Sequence, residues 1–377
     1  MFARCRVLIF AGLAGLALSG CRPATNPPLW PGSKYTERNR TGAIERALAF
    51  IEQSAAIPAN FSDYGSDYLY CFDSIAASGD PQLRAAAGRM GRRAAARWAR
   101  THSIVSAGAS ADGVADMVFG WLAASQLGQS DARVKPELRR AAARFTAQDY
   151  LLFDPAKEAP PSDIPEECKR DSFQNARGAK VCAKCGRPLR MRSRYSIWED
   201  ALITSYTGDR YGIQLGAPYR EVLQWLPQMH PYLDRRQTTY PVFLDTIYSV
   251  THVIYTLNDY GQHLLRRELL PDEYFYLRRN LREAIELHDP ETTGEFLDSL
   301  KSFGLNTSDE AIRTGIAYLL DTQRADGTWS AATEKDAYTL YHSAWTGIDG
   351  LKDCRWRGEG LSFPELLPML ERMQRQR

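Results

Sequence analysis

The sequence predicts an all-α protein, an (α/α)6 toroid built from six helical hairpins. Apolar residues recur at helical spacing along most of the 377 residues, and strand-like alternation is hard to find. In most pairs the first helix is amphipathic and arginine-rich, whereas the second is nearly uncharged beyond its first turn. A helix that is apolar all round is buried, so we expect the second helices inside. Outer and inner helices that alternate every roughly fifty residues indicate a closed ring or a solenoid, and six pairs close a toroid.

The twelve predicted helices lie within residues 37–352. In order, the pairs are 41–55 with 64–78, 81–101 with 112–127, 136–152 with 195–207, 218–229 with 241–258, 272–288 with 291–303, and 308–323 with 335–350. Prolines interrupt the helical pattern between 154 and 194 and separate the two helices of the third pair. A break of ~40 residues is far longer than an ordinary connection, so we expect an insertion with a function of its own. Residues 353–377 are expected to form a C-terminal tail.

Residues 1–20 have the pattern of an export signal, with two arginines, an apolar stretch over 7–18 and small residues at the end. The apolar stretch is shorter than a typical transmembrane helix, and no later segment is long and apolar enough to span a bilayer. The signal ends in Leu18-Ser19-Gly20-Cys21, which resembles the lipobox of bacterial lipoproteins. An ordinary secretory signal with a chance cysteine is the alternative.

The lipobox resemblance implies cleavage before Cys21 and attachment of acyl chains to its thiol. Two or three acyl chains hold a protein durably on a membrane, where one chain would not. Residues 21–36 would then form the lipidated end and a proline-rich tether. Arg22 in place of aspartate favours the outer membrane, by resemblance to the lipoprotein sorting rule. We therefore expect a lipid-anchored protein on the periplasmic side of the bacterial envelope.

The charge balance excludes proteins built around nucleic acid, because 47 Lys and Arg residues face 45 Asp and Glu residues. Loss of the signal removes two arginines and leaves equal numbers, so no surface specific for anionic lipids is implied. An aromatic content of 11% also argues against disorder.

Residues 315–329 resemble the QW repeat of squalene and terpenoid cyclases, with Gln323, Gly327 and Trp329 at its spacing. The resemblance implies a toroid in which the Gln and Trp side chains join the end of an outer helix to the next inner one. Gly327 would permit the tight turn between them.

The segment Tyr341-His342-Ser343-Ala344-Trp345-Thr346-Gly347 resembles the last inner helix of protein prenyltransferase β subunits, where the histidine binds zinc. The cyclase motifs Asp-x-Asp-Asp and Asp-Asp-x-x-Asp do not occur, and Asp353 and Cys354 are adjacent rather than spaced as in the prenyltransferases. The resemblance therefore implies the fold and not the reaction. Only Tyr341 and His342 match a functional position, and a hydrogen-bonded core histidine is the alternative.

Carboxylates cluster near the N-terminal ends of the predicted inner helices, together with tyrosines and histidines. Helix capping explains part of this pattern. If some converge, one carboxyl can act as a general acid beside an ionised partner. The candidate catalytic residues are Asp67, Asp116, Glu199, Asp200, Asp245, His252, Asp336, Tyr341 and His342.

The insertion contains Cys168 and the sequence Cys182-Ala-Lys-Cys185-Gly, the knuckle that wraps two thiolates around one zinc ion. A tetrahedral site needs a fourth ligand, which the sequence does not reveal. Zinc at Cys168, Cys182 and Cys185 competes with a disulfide, which the cell envelope would favour, and with a redox-active pair.

The leading functional hypothesis is a protein that binds or processes a glycan or a prenyl-like lipid in the ring, with acid–base chemistry possible. The alternative is a noncatalytic envelope scaffold that binds a protein partner through the insertion. The sequence leaves open whether the protein is an enzyme.

Overall fold

The computed structural model describes residues 36–376, which form fifteen α-helices, three short 3₁₀ turns and no β-strand. The predicted signal peptide, Cys21 and nearly all of the tether lie outside the described residues. The helices are α1 (Glu37–Ala56), α2 (Pro58–Ser78), α3 (Pro81–Thr101), α4 (Ala111–Gln126), α5 (Lys135–Ala142), α6 (Ala147–Leu151), α7 (Arg194–Tyr211), α8 (Tyr219–Leu223), α9 (Leu226–Met229), α10 (Tyr240–Leu257), α11 (Pro271–Glu286), α12 (Pro290–Ser302), α13 (Glu310–Thr322), α14 (Ala337–Leu351) and α15 (Leu367–Arg375). The all-α prediction is confirmed for this part of the chain.

Two predicted helices are each divided in two. The span 136–152 forms α5 and α6, and α6 starts at a capping box in which Thr146 and Asp149 satisfy each other's backbone amides. The span 218–229 forms α8 and α9, because Pro227 lacks the amide proton that a continuous helix needs. Helical periodicity alone did not reveal these breaks.

The second helices of the predicted pairs are α2, α4, α7, α10, α12 and α14, and each buries a larger share of its residues than the first helix of its pair. Eleven of the 13 residues of α12 are buried, whereas α3 buries only six of its 21. The second helices contact one another in the order α2, α4, α7, α10, α12 and α14, and α14 contacts α2 again. Their contacts therefore return to the starting point.

Polar contacts join α1 to the ends of α13 and α14. The Arg40 guanidinium on α1 donates from Nε to the carbonyl of Leu351 at 2.6 Å and pairs with Asp353 at 2.5 Å. The side chain of Gln323, at the end of α13, donates to the carbonyl of Ala43 at 2.8 Å. These contacts connect residues 280 and 311 positions apart in the sequence.

The turn after α13 folds back so that the indole of Trp329 contacts α13. Trp329 donates from Nε1 to the carbonyl of Leu319 at 2.8 Å. Gly327 has φ +95°, and a Cβ there would lie 2.5 Å from the carbonyl oxygen of Arg46. Glycine is required because a side chain would both strain the backbone and strike α1.

Buried charges tie the C-terminal ends of α12 and α14 together. Lys301 Nζ donates to the carbonyls of Asp349 and Lys352 at 2.7 and 2.8 Å. Lys352, itself 2% exposed, pairs with Asp349 at 2.5 Å and Asp298 at 3.8 Å. Each charge in this network has a partner, as buried charges require.

The C-terminal tail contributes α15, which the sequence analysis did not identify. Gln374 donates from Nε2 to the carbonyl of Leu269 at 3.0 Å, and Leu370 is completely buried. Among the described residues, no helix is both long enough and apolar enough to cross a membrane.

Candidate functional site

Each of the six second helices contributes at least one titratable side chain to a single group, which we call the central cluster. Its members are Asp67 on α2, Asp116 on α4, Glu199 on α7, His252 on α10, Glu291 and Glu295 on α12, and His342 on α14. Their electrostatic interactions link the members to one another. Several side chains keep some exposure (14% for His342, 16% for His252 and 24% for Glu291), so water reaches the cluster.

Glu291, Glu295 and His342 form the most compact part of the cluster, with one possible ligand atom from each lying within 4.8 Å of the others. His342 Nδ1 lies 3.1 Å from Glu291 Oε1. The Tyr248 hydroxyl donates to Glu291 at 3.1 Å, and the Thr251 hydroxyl donates to Glu295 at 2.7 Å. These contacts fix the orientation of both carboxyl groups. The same three residues could hold a divalent cation.

The three groups carry different charges near neutral pH. Burial raises the pKa of Glu295 to about 8, despite the opposing effect of His342. Burial disfavours the charged form of His342, but Glu291 and Glu295 outweigh it and raise the pKa of His342 to about 9. Burial also opposes ionisation of Glu291, yet His342 holds the pKa of Glu291 below its ordinary value. Glu295 is thus a neutral acid beside an ion pair.

His252 and Glu199 lie on neighbouring helices, with His252 Nδ1 3.5 Å from Glu199 Oε1. His252 donates from Nδ1 to the carbonyl of Tyr248 at 2.8 Å, which leaves the lone pair on Nε2. Burial lowers the pKa of His252 to about 4. Burial and the nearby Asp200 and Asp245 raise the pKa of Glu199 well above its ordinary value. Near neutral pH the imidazole is neutral and can accept a proton, and Glu199 holds its proton more tightly than an ordinary carboxyl group does.

Asp67 and Asp116 form a second acidic pair across α2 and α4. Burial and the charge of Asp116 raise the pKa of Asp67 to about 7, against the opposing charge of His342. Burial raises the pKa of Asp116, although the Ser66 hydroxyl donates to it at 2.5 Å. Asp67 is therefore balanced between its two protonation states near pH 7.

The other sequence-predicted residues lie outside this group. Asp200 is 56% exposed and pairs with Arg192, and Asp245 accepts from the Ser193 hydroxyl at 2.8 Å. Asp336 caps α14 by accepting from the Thr339 amide at 2.9 Å, which agrees with the capping interpretation.

Tyr341 packs between α14 and α2. Its ring centroid lies 4.3 Å from that of Tyr68 and 5.9 Å from that of Tyr64, and the residue is completely buried. It forms part of the wall beside Asp67.

The sequence analysis missed Glu291 and Glu295. They stand four residues apart at the start of a predicted inner helix, and this spacing places two side chains on one helix face. The sequence analysis chose its candidate aspartates because they lie near the N-terminal ends of predicted inner helices. Glu291 and Glu295 meet the same criterion, so the sequence contained the signal that would have identified them.

An aromatic layer lies beside the central cluster, formed by Tyr70, Phe119, Tyr255, Tyr260 and Trp345. Tyr70 stacks on Phe119 with centroids 4.4 Å apart, and Tyr260 meets Tyr70 edge-on at 4.8 Å. Tyr255 and Tyr260 stack at 5.8 Å, and the Tyr255 hydroxyl donates to the carbonyl of Glu295. The layer thus combines flat apolar faces with polar edges.

The turn that carries Tyr260 is strained. Asp259 and Tyr260 have φ values of +58° and +50°, in the region that side-chain-bearing residues seldom adopt. Hydrogen bonds hold the turn, because the Asp259 carboxylate accepts from Tyr206 at 2.5 Å and from Arg210 at 2.9 Å. Such strain is found where a structure fixes a functional side chain.

The insertion brings four possible metal ligands together: Cys168, Asp171, Cys182 and Cys185, whose ligand atoms all lie within 4.8 Å of one another. The sulfurs of Cys168 and Cys185 are 3.5 Å apart, and Cys182 Sγ lies 3.7 Å from Asp171 Oδ1. The three cysteines form no disulfide. This group, which we call the Cys3Asp group, could hold a metal ion.

Asp171 could supply the fourth ligand that the sequence analysis left open. The spacing Cys168-x-x-Asp171 repeats that of Cys182 and Cys185, and this repetition was a usable signal. Gly186 has φ +70° and donates from its amide to the carbonyl of Cys182 at 2.8 Å. This turn is typical of a knuckle that points its thiols at one metal.

Comparisons of the chain with models of protein families, with curated proteins and with solved structures gave no match.

Proposed function

We propose that the chain is an α/α toroid whose central cluster binds a glycan and cleaves it by acid–base catalysis. The cyclic order of contacts among the second helices supports the ring. The observation that carries the proposed chemistry is the placement of a neutral acid, Glu295, beside the Glu291–His342 ion pair. Neighbouring groups whose environments drive their pKa values apart are the usual sign of acid and base roles.

Glycosidic hydrolysis needs a proton donor for the leaving oxygen and a base for the attacking water. Glu295 is protonated near neutral pH and serves as the donor. His252 is neutral and accepts the proton of water at Nε2. The Glu291–His342 pair fixes the charge around the donor and stays ionised throughout.

A glycan fits this lining better than a prenyl-like lipid. A prenyl chain needs an apolar wall, whereas here ionisable groups project from all six second helices. Their excess of carboxyl groups also disfavours an anionic pyrophosphate. Trp345 has a buried indole N–H with no hydrogen-bond partner among residues 36–376, a donor that a sugar hydroxyl satisfies.

Hydrolysis of a panel of neutral, amino-sugar and uronate polysaccharides, followed by reducing-end release, tests the proposal. Glu295→Gln should lower the rate at least 100-fold, because general acid catalysis contributes roughly that much. Glu286→Gln makes the same chemical change at an exposed position of α11 and should keep full activity. Retained activity in Glu295→Gln would show that Glu295 is not the general acid.

If no glycan is cleaved and a protein is captured through the insertion alone, the noncatalytic scaffold is the better interpretation. That outcome would leave the central cluster without a chemical role.

The lipobox resemblance supports a lipid anchor at Cys21 and a location on the periplasmic side of the outer membrane. Membrane attachment depends in this proposal on the thiol alone. Cys21→Ser should therefore release the protein into the soluble periplasmic fraction, whereas Cys354→Ser should leave it attached.

The metal proposed for the Cys3Asp group is zinc. Three thiolates and one carboxylate are typical zinc ligands, and a closed set of four protein ligands is typical of a structural site. A zinc ion with bonds of ~2.3 Å holds tetrahedral sulfurs ~3.8 Å apart, close to the separation found here. A disulfide requires a sulfur separation of ~2.05 Å, which the Cys168 and Cys185 sulfurs do not approach.

A further inference from the structure

Two chain segments leave the Cys3Asp group and run side by side toward α7. Glu166 donates from its amide to the carbonyl of Arg190 at 2.7 Å, and Arg192 donates to the carbonyl of Ile164 at 2.8 Å. Pro165 and Met191 form a bridge between these hydrogen bonds. Because Cys168 follows one segment and Cys185 precedes the other, a bound metal would clamp both at one end.

The backbone hydrogen bonds between the two segments continue into the Cys182–Cys185 knuckle. Leu189 donates from its amide to the carbonyl of Lys180 at 2.9 Å, and Cys182 donates to the carbonyl of Arg187 at 2.8 Å. A continuous set of backbone hydrogen bonds therefore connects the metal ligands to Arg192. We call residues 164–192 the ribbon.

The ribbon has almost no apolar core. Between residues 166 and 193, only the two ligands Cys168 and Cys182 are buried. A segment this small cannot be held by the hydrophobic effect, and small domains of this kind depend on a metal or a disulfide. Its three cysteines form no disulfide, so a metal held by these cysteines and Asp171 would add the stability that the small core does not supply.

Arg192 stands at the end of the ribbon and at the edge of the candidate site. Its guanidinium, 21% exposed, donates to the Ser196 hydroxyl at 2.9 Å and pairs with Asp200. The next residue, Ser193, caps α7 and donates to Asp245 at 2.8 Å. The charge of Arg192 also opposes the rise in the pKa of Glu199 in the central cluster.

We propose that zinc in the Cys3Asp group holds the ribbon so that Arg192 stands over Asp200 and Asp245 beside the central cluster. Arg192 is a positioning residue, and the metal sets the charge at the edge of the site without contacting substrate. The part played by Arg192 in catalysis rests on the function proposed above, whereas the metal-dependent order of the ribbon does not.

The ribbon is tested first, without any substrate. Full-length protein is stripped of metal, reloaded with Zn²⁺ alone, and followed by metal analysis, trypsin cleavage and hydrogen exchange. We expect one zinc per chain and at least tenfold slower cleavage after Lys184 and Arg190 when zinc is bound. The amides of residues 190–196 should exchange at least tenfold more slowly in the zinc form.

Variants locate the effect. Cys182→Ser should lose the metal and the protection together, Asp171→Asn should weaken zinc binding at least tenfold, and Cys354→Ser should behave as wild type. Zinc-independent cleavage and exchange would overturn the proposal. One zinc per chain retained in Cys182→Ser would overturn it as well.

Arg192 is tested through the pH dependence of glycan cleavage. Arg192→Gln should keep its zinc and shift the pH profile to higher pH, because carboxyl groups near a lost positive charge hold their protons longer. Arg192→Lys should restore the wild-type profile. Zinc-free Cys182→Ser should show the same shift in pH profile as Arg192→Gln. The Cys182→Ser/Arg192→Gln double variant should shift the profile no further than either single variant.

The two levels of the proposal fail separately. Zinc-dependent protection with no cleavage of any glycan keeps the ribbon and rejects the proposed function. Glycan cleavage with a pH profile that neither Arg192→Gln nor Cys182→Ser changes rejects the ribbon's role and keeps the proposed function.

Discussion

Glu295 and His252 owe their unusual protonation states to burial among the second helices. Burial raises the pKa of Glu295 to about 8 and lowers that of His252 to about 4. Catalysis requires Glu295 protonated and His252 neutral. We therefore expect kcat/KM for glycan cleavage to be level between these values, to fall below pH 4 and to fall above pH 8.

Measurement of kcat/KM from pH 3 to 10 checks this profile. His252→Gln should lose most of its rate at every pH, since no base remains at Nε2. A wild-type rate that keeps rising above pH 9 would show that no protonated carboxyl group takes part.

Asp67 should destabilise the folded protein as the pH rises. Its pKa is raised to about 7, so its contribution to stability is complete below its ordinary pKa near 4 and is lost as the pH rises through about 7. Asp67→Asn cannot ionise, and we expect it to be more stable than wild type by about 4 kcal/mol at pH 8. The gain should be small near pH 4.

Urea unfolding at pH 4.5 and pH 8 measures the difference. Asp63 is exposed on the same helix, so Asp63→Asn is a matched control that should change little at either pH. Equal stabilisation by Asp67→Asn at both pH values would contradict the assignment.

At the scale of single elements, the ends of α12 and α14 depend on paired charges. Asp298→Asn removes one of the two carboxylates that face the 2%-exposed ammonium of Lys352 and leaves Asp349 as its only carboxylate partner among residues 36–376. Breaking a buried pair from one side is costly, so we expect a loss of about 3 kcal/mol in the free energy of unfolding. Chemical denaturation should detect it, and a loss below 1 kcal/mol would show that Asp349 alone compensates.

The turn after α13 offers a second test of an element. Gly327→Ala combines a positive φ with a Cβ 2.5 Å from the Arg46 carbonyl oxygen. Gly304 has a similar φ of +84° but open space around its Cβ position, so Gly304→Ala isolates the backbone cost of about 1–2 kcal/mol. We expect Gly327→Ala to lower the free energy of unfolding by at least 1 kcal/mol more, and equal losses would exclude a close approach to α1.

The sequence predicted the elements better than it predicted the site. Spans such as 81–101 agree with the structure because burial follows helical periodicity closely in α3. The division at Pro227 and the helix α15 were missed, since a short helix carries too few turns to establish a period. Asp171 and the pair of glutamates were missed because residue spacing does not reveal which distant segments meet.

At the scale of the whole molecule, the central cluster depends on the return of α14 to α2. Asp67 and His342 are 275 positions apart in the sequence and interact electrostatically across this junction. The side chains of Arg40 and Gln323 join the same two ends. Loosening this junction should therefore disturb the acid–base groups as well as the stability of the fold.

A ¹³C NMR titration of protein labelled at the glutamate side-chain carboxyl carbons tests the central claim most directly. We expect one resonance to titrate near pH 8 and to be missing from the spectrum of Glu295→Gln, while Glu286→Gln retains it. Titration of every glutamate below pH 6 would contradict the claim that the centre of the molecule holds a protonated acid at neutral pH.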